Sequence, residues 1–395
     1  MRICHIITRL IRGGADENTV YCCNGQAARG HDVHLIHGSE RDERMLERLD
    51  GRVRRYEVES LRREVSVVRD VRALAEIGRL LKRERPEIVH THTSKAGVLG
   101  RLAAAVCRVP VVIHGVHILP FVNVGPLERI AYKGIEKFMA RFTDAFVSVG
   151  EEMRASCIAE NIGAANRHHV VYSGMDMEKF RKNATVDWRE VLGEHEIRIE
   201  NPVFLVLVSR LEERKGQREI LRWMPDLIAL FPNVVLLLAG EGGMRRELES
   251  IATRSGIGDH VVFTGFREDI ENLLAISRIG LLTSKREGLP RVLVQYASMG
   301  LPAIATDIPG AREIVREGVT GFLVKPDRIE DMLPRLKLLL SDDGARRRMV
   351  EEIGKRDLSG WSIDGMNDRL QVLYERLMLE KTGNPRQGVS RSRVC

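Results

Sequence analysis

The residues with the clearest chemical potential lie in two stretches of the C-terminal half. Ser209–Gly216 (SRLEERKG) places Arg210 and Lys215 directly after a predicted strand. Gly280–Val315 contains a carboxylate, Glu287, in a turn that follows another predicted strand and leads into a helix. Fixed cations and the N–H groups of a helix start both bind anions well. The spacing therefore predicts a site for a diphosphate-like anion beside a carboxylate, the alternative being ordinary loops with solvated side chains.

Two weaker candidates lie in the N-terminal half. Gly13 and Gly14 follow the first predicted strand and open a helix, which lets a phosphate approach the backbone, although a plain turn explains them equally well. The pattern is neither GxGxxG nor a P-loop, so hydride transfer and nucleoside triphosphate hydrolysis lose support. His114 and His117 follow a strand predicted to end near Ile113. A lone histidine is usually structural, but His117 lies where a polar group can reach a ligand.

A metal site is not expected. His90-Thr91-His92 contains two histidines, yet the sequence offers no third ligand at a useful spacing. Paired acids at DxD spacing, which often hold the metal ion of a nucleotide, are absent.

Composition indicates a soluble globular protein of two domains. The 395 residues are many for one core, and 44% of them are hydrophobic and 30% charged. No apolar run has the length of a membrane span, and the six cysteines show neither CxxC spacing nor a disulfide framework, which predicts a reducing cytoplasm. The net charge of +7 favours anionic partners, but 5% aromatic residues without an RNP-like or zinc-knuckle pattern argue against nucleic acid.

Strands and helices alternate along most of the sequence, as in right-handed βαβ units with parallel sheets. The predicted fold class is α/β, with two doubly wound Rossmann-like domains, residues 1–173 and 202–360, facing each other across a cleft. Ligands of such sheets bind outside the carboxyl ends of the strands. Residues 174–201 interrupt the alternation and are interpreted as a linker or hinge. A helix is predicted at residues 361–380, and residues 381–395 are predicted to be a disordered tail.

Taken together, these motifs resemble those of the retaining GT-B glycosyltransferases of glycosyltransferase family four. The resemblance runs from Arg12-Gly13-Gly14 to the helix near Trp361, and it is most specific over Gly280–Val315 and Ser209–Gly216. It implies an N-terminal domain that binds the acceptor and a C-terminal domain that binds a nucleotide-sugar donor. It also implies a last helix that packs back towards the N-terminal domain.

The resemblance assigns roles to individual residues. Arg210 and Lys215 are expected to hold the donor diphosphate, and Glu287 to contact the transferred sugar. His117, in the stretch VVIHGVHILPF, is expected at the reaction centre, so that these four are the expected catalytic residues. The expected donor-binding set also includes Gly13, Gly14, Gly265, Phe266, Arg267, Gly288, Leu289, Pro290 and Gln295, and the expected acceptor-side residues are Asp16, His92 and Lys95.

The implied function is that of a retaining, metal-independent hexosyltransferase without a cofactor. The donor is expected to be a UDP- or GDP-sugar. The acceptor is expected to be a glycan or lipid-linked molecule in the synthesis of a cell-surface polysaccharide, such as lipopolysaccharide or capsule, or of a glycolipid. Because no carboxylate is convincingly placed as a nucleophile, attack on the face that the diphosphate leaves is favoured over double displacement. Two alternatives remain, a nucleotide-sugar epimerase of similar architecture and an inactive sugar-nucleotide-binding subunit.

The predicted helix Gly125–Arg141 has a basic residue at every fourth position, namely Arg129, Lys133, Lys137 and Arg141, which places all four along one face. One interpretation is a core-facing surface helix with a solvated basic stripe. The other is that the stripe rests on anionic lipid, which would place a cytoplasmic enzyme peripherally on the inner face of the membrane.

One position departs from the family pattern. The family has a second Glu, separated from the first by seven residues, that typically binds the ribose hydroxyls, whereas this chain has Gln295. An amide oxygen still accepts from one hydroxyl, but it lacks the charge of a carboxylate. We therefore expect Gln295→Glu to tighten nucleotide binding or leave it unchanged, and Gln295→Ala to weaken it. Calorimetry with the free nucleotide measures this, and unchanged affinity in Gln295→Ala would mean that the side chain points elsewhere.

Overall fold

The computed structural model describes residues 1–121, 124–180 and 186–383, which form two compact units. Among the helices in these ranges, none is both long enough and apolar enough to cross a lipid bilayer.

Unit 1 comprises Met1–Met175 and the chain from Gly360 onwards. Its strands are β1 (Arg2–Ile7), β2 (Asp32–Gly38), β3 (Arg54–Val58), β4 (Ile88–His92), β5 (Val111–Val116), β6 (Ala145–Ser148) and β7 (His168–Val170). They form one parallel sheet in the order β3-β2-β1-β4-β5-β6-β7. The helices between them are α1 (Gly14–Ala28), α2 (Glu43–Glu47), α3 (Val67–Glu84), α4 (Ser94–Val106), α5 (Pro126–Met139) and α6 (Glu151–Ala159).

Unit 2 comprises Asp176–Ser359. Its strands are β8 (Val203–Val208), β9 (Val234–Ala239), β10 (Val261–Gly265), β11 (Ser277–Leu282), β12 (Ala303–Thr306) and β13 (Gly321–Val324). They form a second parallel sheet in the order β10-β9-β8-β11-β12-β13, the strand order of the Rossmann fold. The helices are α7 (Trp188–Leu192), α8 (Gln217–Leu230), α9 (Arg245–Arg254), α10 (Ile270–Ile276), α11 (Arg291–Ser298), α12 (Ala311–Ile314), α13 (Met332–Ser341) and α14 (Asp343–Gly354).

The central strands are apolar along their length because crossover helices cover both faces of a parallel sheet. In β9 (VVLLLA) every residue is buried. The covering helices contribute one apolar face each. In α8, for example, the buried Ile220, Met224 and Leu227 recur at the spacing of helical turns. The predicted α/β class with two doubly wound Rossmann-like domains is confirmed.

Some segment boundaries differ from the predictions. Strand β5 extends to Val116, so His114 lies inside the strand rather than after it. The predicted linker, residues 174–201, contains α7, and its residues 181–185 lie outside the described part of the chain. Helix α14 was not predicted, and its first turn is capped by the side chain of Asp342, which accepts a backbone N–H.

The last helix, α15 (Ile363–Thr382), belongs to unit 1. It packs against α1, where the Asn367 side-chain amide donates to the carbonyl of Tyr21 at 3.2 Å. Helix α15 continues through Lys381 and Thr382, so the start predicted for the tail was too early; the rest of that prediction, residues 384–395, lies outside the described residues.

The packing of α15 on α1 can be tested at Gly25. A Cβ at this position would lie 2.1 Å from Nδ2 of Asn367. Alanine normally stabilises a helix by about 1 kcal/mol relative to glycine. At position 25 it must instead displace a buried amide, so we expect Gly25→Ala to lower the free energy of unfolding, as measured with urea.

Gly78 in α3 is the matched control, because a Cβ there meets no atom within 4 Å. We expect Gly78→Ala to raise the free energy of unfolding by about 0.5–1 kcal/mol. Equal stabilisation by both substitutions would contradict the described contact between α1 and α15.

Candidate functional site

The strand order of unit 2 reverses between β8 and β11, and ligands of such sheets bind at the carboxyl ends of the strands at this switch point. Lys215 lies in the loop after β8, and Glu287 lies in the loop after β11. The Lys215 ammonium donates to Oε1 of Glu287, forming an ion pair. The fold thus brings together a cation and a carboxylate that are 72 residues apart in sequence.

Hydroxyl groups of the second loop hold this ion pair in place. Ser284 Oγ donates to the same Oε1 of Glu287 at 2.8 Å. Thr283 Oγ1 donates to the backbone carbonyl of Lys215 at 2.5 Å. The side chains of Lys215 and Glu287 are only 11% and 17% exposed. Because both charges are partly shielded from water, removing one of them would leave the other poorly compensated.

The loops of the switch point approach each other backbone to backbone. Gly216 has a φ of +73°, and a Cβ there would lie 2.4 Å from the carbonyl oxygen of Thr283. Gly240, directly after β9, has a φ of +138°, and a Cβ there would lie 2.1 Å from the carbonyl oxygen of Ser209. Both positions therefore require glycine.

Tyr296 anchors α11, the helix that begins just after Glu287, to both strands of the switch point. Its hydroxyl donates to the carbonyl of Leu281 at 3.1 Å and accepts from the N–H of Val208 at 3.3 Å. Its ring packs over Gly280, where a Cβ would come within 2.4 Å of the ring. The turn that contains Glu287 is fixed to the sheet in this way.

The other expected donor-binding residues of unit 2 lie on loops or helix starts after its strands. Arg210 is 70% exposed and pairs with Glu212 at 3.0 Å. Phe266 is 53% exposed. Arg267 is held by the carboxylate of Asp269 at 2.6 Å. The remaining members are Gly265 at the end of β10, Gly288, Leu289 and Pro290 in the turn before α11, and the half-buried Gln295 within α11.

In unit 1 the strand order reverses between β1 and β4. The loop after β1 enters α1 through Gly13 and Gly14, and Asp16 in the first turn of α1 is 5% exposed. Its carboxylate accepts from the N–H of Ile11 at 3.2 Å. Burial raises the pKa of Asp16 to about 6, against the opposing effects of this hydrogen bond and of Arg9.

A cavity of about 580 Å³ opens at the same edge of unit 1. Its lining includes polar and charged side chains, among them Asp16, Arg63, Asp70, Lys95 and His117, together with apolar side chains of β5, α4, α5 and the loop around Leu119. Lys95 pairs with the carboxylate of Asp70 at 2.7 Å. The expected acceptor-side residues Asp16 and Lys95 therefore line one cavity together with the expected catalytic His117.

The histidine pair His90 and His92 has a third neighbour in the fold. His5 lies on β1, which pairs with β4, and ring nitrogens of the three residues lie within 4.8 Å of one another. The expectation that no third ligand lies nearby was wrong, because sequence spacing does not show this strand pairing. These rings are already hydrogen-bonded, with His5 Nδ1 2.9 Å from His92 Nε2. Burial lowers the pKa of His5 to about 4 and the pKa values of His90 and His92 well below 6.5, so the rings are neutral at neutral pH.

Sequence reasoning missed three polar residues that contact this cluster or extend it. His5 interrupts the apolar strand RICHII, which is a signal that the sequence contains. Gln26 and Tyr374 give no such signal, because α1 and α15 meet only in the folded chain. His114, singled out from the sequence, is a buried strand residue whose Nδ1 lies 2.9 Å from Thr91 Oγ1.

Two family models match the chain, a glycosyl transferase 4-like domain over residues 13–174 and glycosyl transferases group 1 over residues 193–356. The UDP-Gal:alpha-D-GlcNAc-diphosphoundecaprenol alpha-1,3-galactosyltransferase of Escherichia coli is 29% identical over 356 residues, which cover 89% of this chain and 90% of that relative. The putative glycosyltransferase EpsD of Bacillus subtilis (strain 168) is 30% identical over 300 residues, or 74% of this chain and 77% of EpsD.

A crystal structure of HepE from Anabaena in complex with UDP has the same fold. It matches with a TM-score of 0.78 at 21% sequence identity, covering 94% of this chain and 99% of the HepE chain.

The raised pKa of Asp16 predicts a pH-dependent effect on stability. The native state retains the Asp16 proton up to about pH 6, whereas an unperturbed carboxyl releases it near 3.8, so this group lowers stability as pH rises through that window. Asparagine keeps an acceptor oxygen without the charge. Asp16→Asn is therefore expected to be more stable than the wild type at pH 8 and to lose this advantage by pH 4, as measured by urea unfolding.

Asp50 is a control of opposite sign. Hydrogen bonds from the side chain and backbone N–H of Arg52 lower its pKa. Asp50→Asn should lose stability at pH 8 and approach the wild type as pH falls. If Asp16→Asn also lost stability at pH 8, burial of the ionised Asp16 carboxylate would carry no cost in the native state, and the prediction would be wrong.

Proposed function

Because the chain belongs to the glycosyl transferases of group 1, we propose that it moves a sugar from a UDP- or GDP-sugar to a glycan or lipid-linked acceptor during synthesis of a cell-surface polysaccharide or glycolipid. The observation that carries this proposal is the ion pair of Lys215 and Glu287 at the switch point of unit 2. It joins a cation suited to a diphosphate and a carboxylate suited to sugar hydroxyls. The chemistry needs no cofactor, since the nucleotide sugar is a co-substrate. The epimerase and the inactive subunit are not favoured, because the two relatives described above are named as transferases.

In the proposed reaction the bond between C1 of the sugar and the phosphate oxygen breaks, and its electron pair leaves with the diphosphate. Lys215 and Arg210 supply positive charge for that oxygen without requiring a metal ion, and Glu287 holds the sugar. One such electrostatic contact contributes about 2.7–4 kcal/mol to transition-state stabilisation. The acceptor hydroxyl attacks C1 on the face that the diphosphate leaves, and its proton passes to the departing phosphate oxygen. The anomeric configuration is therefore retained.

The cavity of unit 1 supports a lipid-linked acceptor. The E. coli relative is named for an acceptor in which GlcNAc is linked to diphosphoundecaprenol. Arg63 lines the cavity and offers positive charge to a diphosphate, whereas the charge of Lys95 is already offset by Asp70. The apolar lining around Leu119 and Phe121 suits the first part of a prenyl chain.

The outer face of α5 supports contact with an anionic membrane surface by a cytoplasmic enzyme. Leu127, Ile130 and Phe138 are 82%, 70% and 48% exposed, rather than facing the core. An apolar helix face of this kind, flanked by basic residues, is typical of proteins that lie in a membrane interface.

The basic stripe of α5 is partly neutralised by its neighbours. Arg129 and Lys133 pair with Glu160 at 3.5 and 2.5 Å. The Arg141 guanidinium lies 5.6 Å from the centre of the Phe138 ring. Because Glu160 offsets part of the positive charge, the proposed contact depends more on the apolar face of α5 than on its basic residues.

The diphosphate assignment predicts the effect of two substitutions. Lys215→Ala and Arg210→Ala are each expected to lower kcat/KM about a hundred- to thousandfold, with circular dichroism unchanged. Lys355→Ala is the control, because Lys355 also pairs with a glutamate, Glu352, but is 69% exposed; it should keep wild-type turnover. Near wild-type rates in both site variants would remove the assignment.

The membrane assignment is tested by co-sedimentation with vesicles that contain anionic lipid, at low and high salt. Leu127→Ser combined with Ile130→Ser should abolish most binding, whereas Val106→Ser combined with Val372→Ser should not, although these valines are also 73% and 67% exposed. The salt-sensitive part of binding should be lost when serine replaces all four residues of the basic stripe, namely Arg129, Lys133, Lys137 and Arg141. Full sedimentation of the Leu127/Ile130 variant, or binding that ignores lipid charge, would contradict the assignment.

A further inference from the structure

Helix α5 carries two polar side chains on the face that lines the cavity of unit 1. Tyr132 and Glu136 both belong to the lining of this cavity. They are four residues apart, so their side chains are neighbours on one face of the helix. The exposed Leu127 and Ile130 of the same helix do not belong to the lining. Helix α5 therefore presents different faces to its surroundings and to the cavity.

An arginine of the neighbouring helix fixes the Glu136 carboxylate. Arg101 of α4 is fully buried, and its Nη2 donates to Oε2 of Glu136 at 2.9 Å. Nε of Arg101 donates to the carbonyl of Gly97 at 2.7 Å, and Nη1 donates to Oγ1 of Thr143 at 3.4 Å. The guanidinium is thus held at three points. It holds in turn a carboxylate whose side chain is only 8% exposed.

Only one of the two carboxylate oxygens of Glu136 is used in this way. Oε2 accepts from Arg101, whereas Oε1 has no hydrogen-bond partner in the described part of the chain. Oε1 nevertheless keeps contact with solvent, unlike the buried Oγ of Ser148. Because Glu136 is buried and lines the cavity, solvent reaches Oε1 through the cavity. A charged acceptor oxygen is therefore open to a ligand there.

Two further observations concern the surroundings of this oxygen. Tyr132 is half-buried, and its hydroxyl makes no hydrogen bond to the residues that the structure describes. Cys157 of α6 also lines the cavity. Burial, and secondly the charge of Glu136, raise the pKa of the Cys157 thiol to about 12. The charge of Glu136 thus acts within the lining of the cavity.

Stability alone does not account for a carboxylate at this position. Apolar side chains of similar volume often stabilise a fold as well as a buried ion pair does. Binding of a sugar does account for it, because sugar hydroxyls donate strong hydrogen bonds to a carboxylate. A few fixed polar groups in a mainly apolar lining are typical of a site that orients a small ligand.

We propose that Glu136 and Tyr132 form a subsite for a sugar ring in the cavity of unit 1. Oε1 of Glu136 accepts a hydrogen bond from a sugar hydroxyl, and the Tyr132 hydroxyl forms a second hydrogen bond with the same sugar. This inference rests on the proposed lipid-linked acceptor, and it names the sugar as the part of that acceptor that α5 recognises. All residues of the subsite belong to unit 1.

The subsite is tested by calorimetry on the full-length protein with a set of soluble probes. The probes are decyl diphosphate and decyl diphosphates that carry α-linked GlcNAc, glucose or galactose. They differ only in the sugar, so the ratio of two Kd values isolates the contribution of the sugar. We expect the wild type to bind at least one sugar-bearing probe about tenfold more tightly than decyl diphosphate. Equal Kd values for all four probes, or no binding of any of them, would overturn the proposal.

Two substitutions then assign this preference for the sugar to α5. Glu136→Gln keeps the shape of the side chain and an acceptor for Arg101 but removes the charge, and it should lower the preference about tenfold. Tyr132→Phe removes one hydroxyl and should lower the preference about threefold. Because Tyr132→Phe leaves the buried ion pair intact, it decides the question even if Glu136→Gln does not fold.

The matched controls lie in unit 1 but outside the lining. Glu160 also pairs with a basic residue, Lys133, and Tyr56 is also half-buried. Neither residue lines the cavity. Glu160→Gln and Tyr56→Phe should therefore keep the wild-type preference for the sugar.

The outcomes separate a sugar subsite from a purely structural ion pair. A structural role predicts that Glu136→Gln weakens all probes by the same factor, and this result would overturn the proposal. An unchanged preference in a site variant with the circular dichroism of the wild type would do so as well.

The same probes distinguish this inference from the proposed function. If nucleotide sugars bind and the sugar on the probe makes no difference, the subsite alone is wrong. If the sugar-bearing probes bind as expected and no nucleotide sugar does, the subsite stands and the proposed transfer fails.

Discussion

The ion pair of Lys215 and Glu287 is the interaction on which the arrangement of unit 2 depends. Its partners meet because β8 and β11 are neighbouring parallel strands, so that the loops after them leave the sheet side by side. Gly216 lets the loop after β8 pass close to the Thr283 carbonyl without a clash. The Tyr296 hydroxyl fixes α11, the helix after the second loop, to the sheet. A charge that is already held in place and shielded from water stabilises a developing charge without first having to reorganise. The structural features around this pair therefore serve the same purpose, which is to keep one cation and one carboxylate at a constant spacing.

The histidine cluster of unit 1 is uncharged, in contrast to the ion pair of unit 2. Its histidines lie on adjacent strands, and burial keeps His5, His90 and His92 uncharged at neutral pH. In the proposed chemistry the charged pair of unit 2 suits the leaving diphosphate, and the apolar part of the unit 1 cavity suits a prenyl chain. The last helix contributes to unit 1 through Tyr374, so a residue near the end of the described chain helps to orient groups close to its beginning.

The features that sequence reasoning predicted correctly are those that depend on local pattern. The alternation of strands and helices predicted both Rossmann-like sheets, and it placed Lys215 and Glu287 correctly in loops that follow strands. The features that it missed depend on which elements become neighbours. His5 beside His92 requires the pairing of β1 with β4. The exposure of Leu127 on α5 requires knowledge of which face of the helix packs against the sheet, because periodicity alone shows a stripe but not its direction.

The central claim, that this chain holds a nucleotide sugar through its own charged groups, is tested most directly by the melting temperature of the wild-type protein with nucleoside diphosphates and nucleotide sugars in the presence of EDTA. A ligand at a free concentration of 100 times its Kd stabilises the folded state by about 2.7 kcal/mol. The account predicts that nucleotides of one base, UDP or GDP and the corresponding sugars, raise the melting temperature and that EDTA does not abolish the rise. An unchanged melting temperature with every nucleotide at millimolar concentration, or a rise that requires a divalent metal ion, would contradict it.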